Sequence, residues 1–490
     1  MTDHQRYDTV PPFDRCRMPH LERLSEHATV FTQAYCPSPH CCPSRATFFS
    51  GLYPSRHGIW NNYNCGNAFN RSLFPGVRLF PEDLRENGYE TYFSGKWHVS
   101  ATDIPAQRGF CHVSGGYGDM EPDLREKYEI TAMQWEHYRN GRSTPGRDTR
   151  QNRDPAGRQA GQILREGYAP KTLYGEQEDI FHSAAVADRA ADYIREAAKR
   201  DRPFFVFASI LEPHDPYFPE QRFLDLYPPQ SIALPESYTD DMRDKPHLYA
   251  RTQEVFRQLT EEEARECIRH YLAFCTQCDE RFGRLMQALR ESGTYEDTVV
   301  IYLSDHGDYC GEHGLFAKGL PCFEGAYRIP LVIGGGYFGK CGQRLVEDFV
   351  SLADLAPTIL DLAGIRVDRT FSGYSLRPYC NGGRPDTVRD AIFTQSNGNE
   401  LYGIQRSVTT ADWKFVYNGF DFDELYDRKK DPEERHNLAR DPAWQGLRRS
   451  LMRKIWQFAA ENNDDCITDY ILVSLAEYGP GIAFEGEGAE

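Results

Sequence analysis

The sequence predicts an α/β protein in which helices flank a mainly parallel sheet, followed by a smaller C-terminal antiparallel sheet with a packing helix. Three observations predict it. Apolar runs rich in Val, Ile and Phe, clearest at 204–211 and 298–303, alternate with amphipathic stretches. In the stretch 261–290, Tyr271, Phe274, Cys275, Cys278, Phe282, Leu285, Met286 and Leu289 recur at three- and four-residue steps, which marks a helix facing a core. Beyond a Pro- and Gly-rich segment, three short strand-like runs at 390–394, 413–417 and 424–426 precede a helix at 444–462.

A chain of 490 residues exceeds one simple core, which predicts a large domain over 1–385 and a C-terminal α+β subdomain over 386–490. With 40% hydrophobic and 26% charged residues it reads as an ordinary soluble globular protein. The excess of 73 acidic over 56 basic residues, a formal charge of -17, argues against nucleic acid or an anionic membrane as partner. One anionic group in a locally basic pocket stays compatible with that charge. No run of eighteen apolar residues occurs, and MTDHQRYDTV lacks the basic and apolar regions of an export signal, so a cytoplasmic protein without a membrane span is expected. The fourteen cysteines are scattered singly, which favours reduced thiols over a disulfide framework.

Taken in chain order, 41–51 reads CCPSRATFFSG, a helix start, and continues into LYPSRHG. A short strand at 90–93 leads into Gly95-Lys96-Trp97-His98. The polar stretch 115–177, including TPGRDTRQNRDPAGRQAGQ, has little periodicity and predicts a long surface insertion bordering a substrate site. A helix at 179–199 follows, and the strand at 204–211 then runs into Pro213-His214-Asp215-Pro216-Tyr217. The strand at 298–303 runs into Ser304-Asp305-His306-Gly307-Asp308, and the next segment reads Gly311-Glu312-His313-Gly314-Leu315-Phe316-Ala317-Lys318-Gly319. ADLAPTILDLAGI predicts a helix stopped by Gly364. No internal repeat is present.

Each of these segments alone has a plain structural reading. Cys41-Cys42-Pro43 suits a buried cysteine pair opening a helix, and Asp305-His306-Gly307 suits a turn. Cys36, Cys42 and the Cys275-x-x-Cys278 pair have no partner set at zinc spacing and read as packed thiols. Open α/β sheets, however, gather ligand-binding groups where strands end, and the Lys96, His214 and Asp305 segments all follow apolar strands.

Together and in this order the segments resemble the type I, formylglycine-dependent sulfatases of the alkaline-phosphatase superfamily. The resemblance rests on C-x-P-S-R at Cys41 to Arg45, G-K-W-H at Gly95 to His98 and S-D-H-G at Ser304 to Gly307. It extends to SLADLAPT at 351–358 and to ELYD at 424–427 with the following DPEE and NL, and so covers nearly the whole chain. It implies an alkaline-phosphatase-like fold and a sulfuric ester hydrolase in which Cys41 is oxidised to formylglycine. The hydrated aldehyde attacks sulfur, and collapse of the diol to a carbonyl expels the sulfate.

The same resemblance implies roles for individual residues. Asp3, Asp305 and His306 hold a divalent metal that the Cys41-derived diol completes, with calcium favoured over manganese or zinc. Arg45 holds the diol or balances charge near the metal. Lys96 and Lys318 bind the sulfate, His98 is the base that releases it, and His214 protonates the leaving group. His4 stands where relatives differ, and its role stays open. The partners implied are a sulfated small molecule or glycan and a maturase, either a formylglycine-generating or an anaerobic sulfatase-maturating enzyme. The family's sheet also has a strand before the first metal loop, and no apolar run precedes Asp3. A sheet without its first strand, or a segment upstream of Met1, is therefore expected. Two other readings stand beside the sulfatase: a phosphonate monoester or phosphodiester hydrolase of the same superfamily, and a non-catalytic binding homologue lacking that strand.

Overall fold

The structure, a computed structural model, describes residues 1–65, 68–115, 158–165, 170–175, 181–399, 402–468, 470 and 476–485. The polar insertion expected over 115–177 lies largely outside the described residues. Strand Glu90–Gly95 pairs in parallel with His112–Gly115 on one side and Phe204–Ser209 on the other. A second group runs Arg344–Val346, Thr29–Phe31, Leu331–Gly334, Val300–Leu303, with the first pair parallel and the other two antiparallel. The sheet is therefore mixed and rich in parallel pairs.

Two residues link the groups. The Met1 amino group donates to the Ala208 carbonyl at 2.8 Å, and the Met1 carbonyl accepts from the Ile210 N–H at 3.1 Å. On the other side the Thr2 N–H donates to the Leu303 carbonyl at 2.9 Å, and the Thr2 carbonyl accepts from the Asp305 N–H at 3.3 Å. Asp3 thus leaves the sheet between the ends of two strands. Alongside this link, Phe204–Ser209 and Val300–Leu303 line an apolar cavity of about 560 Å³, closed partly by Phe282 and Leu289.

Helices cover both faces because side chains on a strand alternate. Phe205 and Phe207 meet Phe80 and Phe48 on one face. Phe204 and Val206 pack with Tyr193 of helix Ser183–Ala197 on the other. Helix Glu261–Glu291 lies against Ser183–Ala197, and its predicted stripe is buried except at Phe282 and Leu285, which are partly buried. Its start is fixed by Thr260, which accepts from the Glu263 N–H while the Glu263 carboxylate accepts from the Thr260 N–H. Each large apolar side chain buried in this way contributes roughly 1.5–3 kcal/mol.

The C-terminal sheet has four antiparallel strands in sequence order, Ala391–Gly398, Tyr402–Thr410, Trp413–Asn418 and Glu424–Asp427. Helix Gln445–Glu461 covers it around a core that includes Val408, Phe415, Leu425, Ile455 and Trp456. The second strand is absent from the sequence prediction. Its buried positions include Gln405, Arg406, Ser407 and Thr409, so its hydrophobic alternation is weak; Arg406 is satisfied by Asp464 at 2.5 and 2.9 Å. Among the described residues no helix is long and apolar enough to cross a membrane, and no disulfide joins any of the fourteen cysteines.

Candidate active site

Helix Cys41–Ser50 is buried along its whole length, and Pro43 fits because the first-turn N–H groups have no partner within the helix. Gly51 ends it at φ +72°, where a Cβ would lie 2.5 Å from the Phe371 ring. Cys41 and Arg45, four residues apart, share a helix face. The Arg45 guanidinium donates to Asp305 Oδ2 at 2.7 Å, Ser209 Oγ at 2.7 Å, the Lys96 carbonyl at 2.9 Å and Asp3 Oδ2 at 3.3 Å. One fully buried side chain thereby fixes helix Cys41–Ser50 against three strand ends and the first loop.

Lys96 follows Gly95 at φ +105°, where a Cβ would stand 2.0 Å from the Ser209 carbonyl oxygen, so this position requires glycine. The backbone turns there, the Lys96 N–H donates to that carbonyl at 3.0 Å, and the ammonium reaches Asp3 Oδ2. His98, half-buried at the end of the same loop, lies close to the Cys41 side chain. His214 lies at the partly open side of the site, its Nδ1–H donating to the Asp215 carbonyl at 2.6 Å and its ring 4.0 Å from that of His4. The Lys318 ammonium donates to His4 Nε2.

Asp3, Cys41, Asp305 and His306 offer donor atoms that all lie within 4.8 Å of one another, and all four residues are buried. Cys41 Sγ is 3.3 Å from His306 Nε2 and 3.7 Å from Asp3 Oδ1, and His306 Nε2 is 3.5 Å from Asp3 Oδ1. His306 Nδ1–H donates to the Gly307 carbonyl at 2.9 Å, which leaves the Nε2 lone pair for a cation. A second donor group joins Asp3 to His4 and His214.

Burial and charge pull the site's proton affinities in opposite directions. Burial alone would raise the Cys41 thiol, but the Lys318 and Lys96 ammonium groups and His306 outweigh it and hold the thiol well below its ordinary range. Burial also acts upward on Asp3, and Lys96 with Arg45 brings it down to about 2. Asp305 rises, through burial and the neighbouring Asp3 charge. Burial, then Lys96, lowers His98 to about 4, and burial with Lys318 lowers His214. Two buried carboxylates that repel one another beside an imidazole whose Nε2 faces them suit a divalent cation, which would take the place of the ring's second proton, so these residues fit the metal.

All nine residues chosen from the sequence thus converge on one point. Two more, missed from the sequence, stand behind them: Asp308 Oδ2 is 3.2 Å from His4 Nδ1, and the Tyr217 hydroxyl donates to it at 2.8 Å. Both residues occur in the segments read as strand-end loops, but nothing in the sequence tells that the loops meet.

A family model described as sulfatase matches residues 1–365. The chain belongs to the sulfatase family. It is a sulfuric ester hydrolase of the alkaline-phosphatase superfamily, and the family implies both a metal and a formylglycine. A second family, described as the N-sulphoglucosamine sulphohydrolase C-terminal region, matches residues 311–461 of this sulfatase. The choline-sulfatase of Rhizobium meliloti (strain 1021) is 29% identical over 448 residues, covering 88% of this chain and 79% of that protein. Arylsulfatase K of Xenopus laevis is 27% identical over 461 residues, covering 89% and 76%. Among solved structures, BT4656 in complex with its substrate D-glucosamine-2-N,6-O-disulfate has a TM-score of 0.71 at 21% identity, covering 95% of this chain and 97% of that one. The phosphonate monoester hydrolase of Silicibacter pomeroyi reaches 0.74 at 23% identity, covering 94% of each. Both share the fold of this sulfatase.

Proposed function

We propose that this sulfatase hydrolyses the sulfate ester of a small alcohol or sugar through a nucleophile made from Cys41. The observation that carries this reading is the convergence of two ammonium groups, one guanidinium and three metal-donor side chains on that one buried residue. When installed, formylglycine supplies a geminal diol as nucleophile and as the route for expelling sulfate, and calcium at Asp3, Asp305 and His306 supplies positive charge beside it. Lys96 and Lys318 hold the sulfate oxygens, and their charge is already in place before the substrate arrives. Arg45 keeps the Cys41 side chain registered against Asp3 and Asp305. Burial and Lys96 keep His98 neutral near pH 7, so its ring is able to take a proton from the diol. His214 sits at the open side, where the alcohol departs. The neighbouring Lys318 favours the neutral ring, and an arriving sulfate reverses that influence, so the protonated donor forms with substrate bound.

The choline-sulfatase relative and the glucosamine disulfate complex support small sulfated alcohols and sulfated sugars as the substrates to test. A formylglycine-generating or anaerobic sulfatase-maturating enzyme would serve as the activating partner. Matured protein is to be assayed against choline sulfate, aryl sulfates and sulfated mono- and oligosaccharides, with the aldehyde at position 41 read by peptide mass spectrometry. Turnover that does not follow aldehyde content sinks the proposed nucleophile. The phosphonate monoester hydrolases among the structural relatives favour a second reading, action on phosphonate monoesters. An aryl phosphonate turned over faster than the matching aryl sulfate would select it.

A further inference from the structure

The donors and acceptors around His4 admit one arrangement. Lys318 has only protons to give, so His4 Nε2 accepts and Nδ1 carries the ring proton, while burial pushes the facing Asp308 carboxyl up to about 7. That carboxyl takes the Cys310 N–H at 2.8 Å on Oδ1, and on Oδ2 it faces both the Tyr217 hydroxyl at 2.8 Å and His4 Nδ1 at 3.2 Å. The Tyr217 oxygen in turn accepts from the Ala317 N–H at 3.3 Å, so the same phenol reaches the backbone beside Lys318. His4, Asp308 and Tyr217 are buried, and Lys318 is partly exposed.

We propose that Tyr217, Asp308 and His4 form a hydrogen-bonded chain that positions the Lys318 ammonium for sulfate binding, and that His4 is a positioning residue rather than a metal ligand. This rests on the reading that Lys318 contacts sulfate. A lysine carries four rotatable side-chain bonds, and pinning its tip and its neighbouring backbone removes that freedom before the anion arrives. Among the described residues, the donor group of Asp3, Cys41, Asp305 and His306 forms without His4, whose imidazole falls in a second group that shares Asp3 and adds His214. Lys318 on its Nε2 opposes a second cation there, since the ammonium already supplies the positive charge.

The test uses the metal-loaded, matured enzyme with inorganic sulfate as the probe, its affinity measured by calorimetry and metal content by elemental analysis. His4→Ala and Asp308→Asn are each expected to weaken sulfate binding about tenfold with metal content unchanged. His4→Gln, whose amide can donate to Asp308 and accept from Lys318, is expected to retain near-parental affinity. In a double-mutant cycle, His4→Ala added to Lys318→Ala brings no further loss. Loss of metal from His4→Ala, or fully additive losses with Lys318→Ala, overturns the positioning role. If Lys318→Ala alone binds sulfate as well as the parent, the reading beneath fails and this inference with it. Melting temperatures of all variants separate these outcomes from unfolding.

Discussion

Cys41 at the start of helix Cys41–Ser50 and the pair Cys275 and Cys278 inside helix Glu261–Glu291 are all buried thiols on helices, yet their chemistry differs. Around Cys275 and Cys278 burial dominates, other thiols and acidic groups add to it, and the thiols are pushed well above their ordinary range. Around Cys41 the same burial is overcome by Lys318, Lys96 and His306. Cys42, adjacent in sequence and facing away, is pushed up like the core pair. A buried cysteine becomes chemically useful here through the cations that surround it.

The sharpest way to break this comparison is to delete the thiols one at a time. Cys41→Ala is expected to lower turnover of a sulfate ester by about 10⁴-fold or more, as removal of a nucleophile does. Cys275→Ala should leave turnover within about twofold, measured as kcat/KM on the same ester. Equal losses would show that burial alone marks these residues. Metal removal sharpens the contrast next. Chelation should abolish turnover and lower thermal stability, by about 4 kcal/mol if the ion had been present at a thousand times its Kd. Repeating the melt with Asp305→Asn should reduce the chelator's effect.

A smaller effect belongs to a buried group outside the charged centre. His57 accepts from the Ile59 N–H on Nδ1 and faces Thr47 through Nε2 at 3.0 Å, an arrangement that needs the neutral ring. Burial lowers its pKa to about 3, below the unfolded value near 6.5. A folded pKa below the unfolded one means stability is fully present above about pH 6.5 and is lost as the pH falls toward 3. The loss is about 1.4 kcal/mol per pH unit for this one proton. His57→Gln should flatten the fall in melting temperature between pH 6.5 and 4.5, and an unchanged slope would remove His57 from the account. The smallest expected effect is Cys278→Ala, about 1–2 kcal/mol of stability from a small cavity, read by denaturant unfolding.

The strands at 90–95, 204–209 and 300–303 and the helices Ser183–Ala197 and Glu261–Glu291 were legible as apolar runs and stripes, and Lys96, His214 and Asp305 as the loops that follow those strands; Asp3, Cys41 and Arg45 were legible only through the motifs that hold them, and the short strands Thr29–Phe31, Leu331–Gly334 and Arg344–Val346 were not read. Gly95 and Gly51 could be placed within motifs, but the close approaches that require them, to Ser209 and Phe371, come only from tertiary packing. Strand Tyr402–Thr410 was hidden since its inward side chains are polar and find their partners far away, Arg406 at Asp464 and Gln405 at Tyr327. Asp308 and Tyr217 were overlooked for a related reason: their contact spans 91 positions of chain, and neither residue type announces it. What local sequence conceals here is the pairing of polar groups across long separations.

Arg45 touches Asp3, Lys96, Ser209 and Asp305, and those four belong to stretches of chain separated by more than three hundred positions. Such a hub constrains inheritance: a change at Ser209 is transmitted through one guanidinium to Asp3 and Asp305. Drift in this protein is therefore expected to spare that quartet together and to accumulate at the rim, where new substrate preferences can arise without disturbing the core of the reaction.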